Sequence, residues 1–195
     1  MAYDRKHFEY VLKEVQRHVQ DTETSKLAHW HAAARYEKMH RFCIGVPATI
    51  LSIFLTWLLS SEFNRVVSDT AAASVATKQI SLVVSLLVSL LSGLGAFLNI
   101  TDLAIKHRTA AENYHSLWRD CKNWQTDFPD ESQVERSVQV VQQYRRRLNE
   151  INRESPQIPK WAWKSVDKQK KEGSTSYKVD EIIEPTSESV LVGKS

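Results

Sequence analysis

The stretch ISLVVSLLVSLLSGLGAFLNI, residues 80–100, decides the fold of this chain. It is apolar almost throughout, yet the small residues Ser81, Ser85, Ser89 and Gly93 recur at every fourth position. Lipid alone gives a helix no reason to keep such a row, whereas small side chains let neighbouring helices approach closely. The stretch therefore predicts a membrane-spanning helix that packs against other helices.

Two stretches contain no Asp, Glu, Lys or Arg: 42–61 and 79–101. As helices they would rise about 30 and 35 Å, enough to cross a hydrocarbon core of about 30 Å. The average composition conceals them, with 25% charged residues and a mean hydropathy of -0.39. We predict an all-α membrane protein, a two-span transmembrane helical hairpin whose cytosolic N- and C-terminal helices form a stalk or bundle. The alternative is a pair of buried helices in a soluble core.

The first span is not predicted to be a secretory signal, because 41 residues precede it and signal peptides place their apolar region within about the first 15–30 residues. Basic residues cluster near the two outer ends of the spans, whereas the connection holds Arg65 and Lys78. This bias predicts both termini in the cytosol, with Trp57 and Phe63 near the outer interface. The basic residues at the outer ends are Lys26, Arg35, Lys38, Arg41, Lys106, Arg108 and Arg119.

Local signals divide the rest of the chain. Asp21 and Thr22 predict a break between two N-terminal helices. Pro47 predicts either the start of the membrane helix or a kink within it. No strong helix breaker lies in 79–127, which predicts one rod of about 70 Å, and Pro129 then ends that rod. The predicted segments are N-terminal helices 1–41, first span 42–61, extracytoplasmic connection 62–78, second span 79–101, cytosolic helices with a tryptophan-bearing strap 102–164 (including a helix over 131–152), and a flexible polar tail 165–195.

A heptad pattern continues beyond the second span. Its members are spaced alternately by four and three residues for more than three repeats, which is typical of a coiled-coil seam. We predict that this seam joins copies of the chain into a homo-oligomer. Its members are Leu103, His107, Ala110, Tyr114, Leu117, Cys121 and Trp124.

Projection of each span at about 100° per residue places small and polar side chains on one side and large apolar ones on the other. Three arrangements explain such a face: the two spans pack on each other, hairpins form a ring in which part of the face lines a water path, or the hairpin pairs with a different membrane protein. Asn99 would lie at the cytosolic mouth, either as a polar ring or against lipid headgroups. The candidate pore-lining or helix-packing residues are Thr49, Ser52, Thr56, Ser81, Ser85, Ser89, Ser92 and Asn99.

The sequence offers no catalytic constellation, metal motif or phosphate loop, so we predict that the chain is not an enzyme and needs no cofactor. His29 and His31 would point about 200° apart on a helix and cannot share a metal. The pattern favours packing over metal binding for His107. A net charge of +3 is too small to indicate a nucleic-acid partner. Cys43 and Cys121 are predicted to be reduced thiols.

Three consecutive arginines, Arg145, Arg146 and Arg147, lie in a predicted helix. Such a run is usually a solvated face. The functional alternative is an anion site for lipid headgroups or for a phosphorylated signal, because guanidinium groups bind phosphate well.

The segments LAHWHAAARYEKMHRF (27–42) and HRTAAENYHSLWRDCKNW (107–124), placed on either side of the hairpin, resemble the SLATT domain family. This family consists of two-transmembrane effector domains associated with SMODS nucleotide synthases and SLOG sensors in bacterial conflict systems. The resemblance covers residues 5–163 and rests on architecture and loose patterns. It implies a pore-forming antiviral effector of the bacterial inner membrane that passes ions after a nucleotide signal or sensor protein activates it. It implies no catalytic residues. The alternative is a non-conducting membrane anchor or scaffold whose cytosolic helices recruit a partner.

Overall fold

The structure of the chain, a computed structural model, describes residues 2–61, 63, 65 and 71–172. Within these residues every regular element is a helix, which confirms the predicted all-α fold for the described part. In chain order the elements are α1 (Ala2–Met39), a π-helix (His40–Gly45), α2 (Val46–Leu58), α3 (Ala71–Leu98), α4 (Ile100–Asp127), a 3-10 helix (Glu131–Gln133), α5 (Val134–Glu154) and α6 (Lys160–Lys171).

Two helical stretches are long and apolar enough to cross a membrane, Arg5–Leu58 and Ala73–Asp127. Their apolar windows have mean hydropathies of 1.6 and 2.2, and the rest of the chain buries 6% and 11% of those windows. A helix in the core of a soluble protein would be largely covered, because large apolar side chains are the ones most often buried. The exposure of these segments therefore favours a membrane location.

Four helices, α1, α4, α5 and α6, form a bundle beside the apolar hairpin of α2 and α3. Helices α1 and α4 lie side by side, α5 packs against both, and α6 packs along α1. Burial of apolar surface contributes about 25 cal/mol per Å², so the shared core holds the bundle together. That core consists of Val11, Val15, Ala110, Tyr114, Leu117, Cys121, Trp124, Phe128, Val141 and Ile151.

Helix α1 is continuous where the sequence predicted two helices. The hydroxyl of Thr22 donates to the carbonyl oxygen of His18 at 2.6 Å, and that of Thr24 donates to the carbonyl oxygen of Gln20 at 2.7 Å. A threonine that bonds its own helix in this way no longer competes with the backbone as a cap. Thr22 is also fully buried, so tertiary packing overrides the local stop signal.

The predicted unbroken rod from the second span into the bundle is wrong. Asn99 separates α3 from α4 with φ 44° and ψ 39°, which is the left-handed conformation. Asn adopts this conformation more readily than most residues because its short polar side chain suits it. The N–H of Leu103 donates to the carbonyl oxygen of Asn99 at 3.2 Å, so helix geometry stops and resumes at one residue.

The first span begins with an irregular helical turn. The π-helix His40–Gly45 precedes α2, and Pro47 lies in the first turn of α2. The backbone stays helical through this turn, because Met39, Gly45 and Val46 all have right-handed helical dihedrals and Arg5–Leu58 forms one helical stretch. Proline removes one backbone N–H donor from that stretch. Of the two predicted roles for Pro47, the structure therefore favours an irregularity within a continuous helix over the start of a separate one.

The described part of the C-terminal region contains a helix where the sequence predicted a tryptophan-bearing strap. Residues 155–159 are not helical, but α6 starts at Lys160 and includes both predicted strap tryptophans. Val166 is fully buried, and this burial holds in place a segment predicted to be flexible. The predicted tail from residue 165 is therefore wrong as far as Lys171, and its remainder, residues 173–195, lies outside the described residues. Much of the predicted connection also lies outside them, whereas its last part belongs to α3.

Candidate functional site

The two apolar helices pack on each other through part of the predicted small-residue face. Leu58 of α2 and Val84 of α3 are buried, and Ser52, Ser81 and Ser85 are partly covered beside them. In a helix pair, small residues at the contact allow the backbones to come close. This half of the face, which we call the hairpin interface, therefore serves packing within one chain.

Gly95 shows how close this approach is. A Cβ atom added to Gly95 would lie 3.1 Å from Cγ2 of Ile44 in the π-helix, which is tighter than an ordinary van der Waals contact. Any larger side chain at this position must push the two helices apart or displace Ile44. Gly95 therefore sets the distance between α3 and the start of the first span.

The other half of the small-residue face is uncovered in the single chain. Thr49 and Thr56 of α2, and Ser89 and Ser92 of α3, are exposed. A Cβ atom added to Gly93 would have no neighbour within 4 Å. We call these five residues the open face. Apart from Asn99, the predicted pore-lining or packing set is thus divided between the hairpin interface and the open face.

Five hydroxyl groups on the two halves are bonded to their own helices. Each donates to a carbonyl oxygen three or four residues earlier, which satisfies the donor in an apolar environment without requiring water. The open face is therefore compatible with lipid, with another helix or with water. The bonds are Thr49 to Gly45 at 2.9 Å, Ser52 to Ala48 at 2.7 Å, Thr56 to Ser52 at 2.9 Å, Ser85 to Leu82 at 2.8 Å, and Ser89 to Ser85 at 2.9 Å.

Two helix irregularities lie side by side where the hairpin meets the bundle. One is the π-helix His40–Gly45, and the other is the left-handed residue Asn99. Helix α3 contacts the π-helix directly. We call this pair of irregular segments the junction. Asn99 is exposed there, and its main structural effect is the break between α3 and α4.

The predicted oligomer seam is occupied by the chain's own helices. Leu103 is partly covered, whereas the other six members are buried in the bundle core or beside it. Phe8 of α1 stacks on Trp124 with ring centroids 5.5 Å apart. The heptad pattern therefore marks a real packing seam, but its partners are α1 and α5 of the same chain, which corrects its assignment as a contact between copies.

A histidine pair lies at the centre of the α1–α4 contact. Nδ1 of His29 and Nδ1 of His107 are 2.8 Å apart, and both side chains are buried. Burial, together with the neighbouring His107, lowers the pKa of His29 to about 4. His107 is thus packed, as its seam position predicts. The pairing with His29 is the feature that sequence reasoning missed, because a single sequence does not show which α1 residue faces His107.

Aromatic rings surround the histidine pair. Tyr36 stacks on His107 with centroids 5.6 Å apart and meets the edge of Trp161 at 5.9 Å. Arg35 lies 4.5 Å above the Trp161 ring. Trp161 thereby ties α6 to α1. Among the described residues, no group of three or more His, Cys, Asp or Glu is placed to hold a metal ion.

The arginine triplet contributes salt bridges to the bundle. Arg145 pairs with Glu14 of α1, and Arg147 bonds Asp120 of α4 at 2.7 Å. These contacts connect α5 to both of its neighbours. Two of the three guanidinium groups therefore have carboxylate partners within the chain, and an anion would have to compete with those partners.

Comparison with protein-family models, with curated proteins and with solved structures finds no match for this chain. The resemblance of residues 27–42 and 107–124 to the SLATT family therefore stays a prediction from sequence pattern.

Proposed function

We propose that this chain is a membrane effector that assembles through its open face into an oligomeric pore, in a bacterial anti-phage or stress response. The observation that carries the proposal is the division of the small-residue face. The hairpin interface accounts for the partial burial of Ser81, Ser85 and Gly95, whereas the open face repeats the same residue types at exposed positions. A second use for small side chains in lipid is close contact with another helix.

Assembly of several hairpins would place hydroxyl groups around a common axis. Ser89 and Ser92 are on one helix and Thr49 and Thr56 on the other, so a ring of hairpins can bury part of the open face in contacts between copies and turn the rest inward. A hydroxyl whose O–H donates to its own backbone still has oxygen lone pairs that can accept from water or bind a cation. Such a lining supports the passage of ions.

The junction supplies a place for regulation. A nucleotide signal or a partner protein that shifts α1 against α4 would act on the hairpin through the π-helix and Asn99. A straight rod would pass a rotation of the bundle directly to the hairpin. A helix broken at one residue can bend there instead, because the backbone dihedrals of that residue can change. We propose that activation changes the angle between the bundle and the hairpin.

Dye release from liposomes tests pore formation. Full-length protein is reconstituted at a high protein-to-lipid ratio, which drives assembly. Its leakage is compared with that of Ser89→Leu, a variant that adds bulk to the open face and leaves the side chains of the hairpin interface unchanged. Val83→Leu is the matched control because it adds volume on the exposed apolar side of α3. We expect leakage to be lost in Ser89→Leu and kept in Val83→Leu, with equal membrane insertion. Equal leakage from both variants would reject the open face as the lining.

The second candidate is a membrane anchor or scaffold that does not conduct and whose bundle recruits another protein. The internal bonding of the hydroxyl groups favours it, since a face satisfied in this way needs no water. It predicts no leakage from wild-type protein at any density and a monomeric mass in detergent. Crosslinking in cells would then capture a different protein on the bundle.

A further inference from the structure

A groove of about 500 Å³ opens at the junction, between the π-helix, the start of α2 and the start of α4. Its lining is amphipathic. Arg41 and Thr101 contribute polar groups, whereas Val46, Ile50 and Ile105 contribute apolar side chains that are largely exposed. A groove with both kinds of lining suits a ligand that has a polar head and an apolar tail.

The charge balance of the groove is positive. Glu37, the acidic residue of the lining, is bound to Arg108 at 2.6 Å. Arg41 has no carboxylate partner within the part of the chain that the structure describes. It is also the last charged residue before the uncharged stretch 42–61. The groove therefore presents one uncompensated guanidinium group at the edge of the apolar surface.

The height of the groove matches the edge of a bilayer. Nine residue steps separate Arg41 from Ile50, which is about 13 Å along a helix. The polar headgroup region of one leaflet is about 6 Å deep. A molecule whose phosphate contacts Arg41 would therefore have its first acyl carbons beside Val46 and Ile50.

We infer that this groove binds one anionic phospholipid, with its phosphate on Arg41 and an acyl chain along Val46 and Ile50. Basic pockets between membrane helices on the cytoplasmic side are suited to such headgroups. The inference rests on the membrane placement in the proposed function, but it does not require a pore. A bound lipid would touch the π-helix, α2 and α4 together and would brace the junction.

Thermal unfolding of full-length protein in mild detergent tests the inference. Phosphatidylglycerol is added at increasing mole fraction, in parallel with phosphatidylcholine and with inorganic phosphate. The variants are Arg41→Gln, which removes the guanidinium group, and Thr101→Trp, which fills the groove without changing charge. Lys38→Gln is the matched control, because it removes an exposed cation one turn earlier that does not line the groove.

We expect phosphatidylglycerol to raise the Tm of wild-type protein and of Lys38→Gln, and native mass spectrometry to show one retained lipid per chain. Apparent affinity should fall roughly tenfold or more in Arg41→Gln, because hydrogen bonds to charged groups are strong. An equal effect of phosphatidylcholine or of inorganic phosphate overturns the inference, as does an equal loss in Lys38→Gln.

Thr101→Trp decides the question if Arg41→Gln does not fold, since unchanged lipid binding in that variant excludes the groove. Dye release is measured separately. Lipid binding without leakage would reject the pore alone, and leakage without selective lipid binding would reject the groove alone.

Discussion

His29 and His107 share a hydrogen bond between two Nδ1 atoms 2.8 Å apart, inside the contact of α1 with α4. One ring must donate its N–H while the other accepts, so the two histidines hold complementary neutral tautomers. Tyr114 stacks on His29 with centroids 5.4 Å apart, and burial lowers the pKa of both histidines. The centre of the bundle is therefore built for an uncharged pair.

Stability should depend on pH through this pair. The pKa of His29 is lowered from 6.5 to about 4 in the folded chain, so between these values the unfolded chain binds more protons. The contribution of His29 to the free energy of unfolding is then fully present above about pH 6.5 and is lost as the pH drops toward 4. The expected loss from His29 is about 3 kcal/mol, since one pKa unit corresponds to about 1.4 kcal/mol. Unfolding measured in detergent across this pH range checks the slope.

The matched variants for this prediction are a double and a single substitution. His29→Leu combined with His107→Leu removes both groups of the pair and should reduce the slope. His31→Gln is the matched control, because it removes a histidine that instead bonds Gln169 at 2.9 Å and leaves the pair intact. An unchanged slope in the double variant would show that other groups cause the pH dependence.

Thiol labelling should distinguish the two cysteines. Cys43 is exposed, whereas Cys121 is buried in the seam, where burial and the charge of Asp120 raise its pKa to about 12. Maleimide reacts with accessible thiolate, so we expect one label per folded chain and two after denaturation. A membrane-permeant reagent and intact-mass spectrometry make the measurement, and Cys43→Ser supplies the control. Rapid labelling of Cys121 in Cys43→Ser would mean that the seam is open.

Much of the fold follows from patterns that repeat over many residues. The uncharged stretches 42–61 and 79–101 and the heptad positions around Leu117 each rest on several residues, so no single side chain can reverse them. The features that sequence did not predict depend on one residue or on distant partners. Asn99 breaks the helix through the left-handed backbone of a single residue. Thr22 does not end α1, because the helix is packed against the rest of the chain at that residue.

The candidate site shows the same division. The angular pattern placed the small side chains on one face, but it could not say which half meets the partner helix in the same chain. That choice depends on how α2 approaches α3. Gly95 can be recognised as a close-contact position only once the structure places Ile44 next to it. The heptad spacing likewise predicted the seam. It did not predict that α1, which contributes His29, packs against the seam, because α1 is far from it in the sequence.

The two glycines of α3 should respond in opposite ways to the same substitution. Gly95→Leu forces side-chain atoms against Ile44, where even a Cβ atom would come within 3.1 Å, and overpacking of this kind costs about 1–3 kcal/mol. Gly93→Leu meets open space and gains about 1 kcal/mol of helix propensity. Thermal unfolding in detergent compares them. A stable Gly95→Leu would contradict the close approach at the hairpin interface, and continued leakage from Gly93→Leu would contradict the open face as a contact between copies.

Asn99 offers the sharpest test of the junction. Glycine reaches the left-handed region without steric cost, so Asn99→Gly should keep wild-type stability within about 0.5 kcal/mol. Alanine carries a Cβ atom and none of the polar character of Asn, so Asn99→Ala should lose about 1 kcal/mol or straighten α3 into α4. Spin labels on Leu86 and Arg146, both exposed, report the angle between hairpin and bundle. Matching distance distributions and stabilities in Asn99→Ala and wild type would mean that the backbone at this residue is not strained. If the junction regulates the pore, leakage should change in Asn99→Ala and persist in Asn99→Gly.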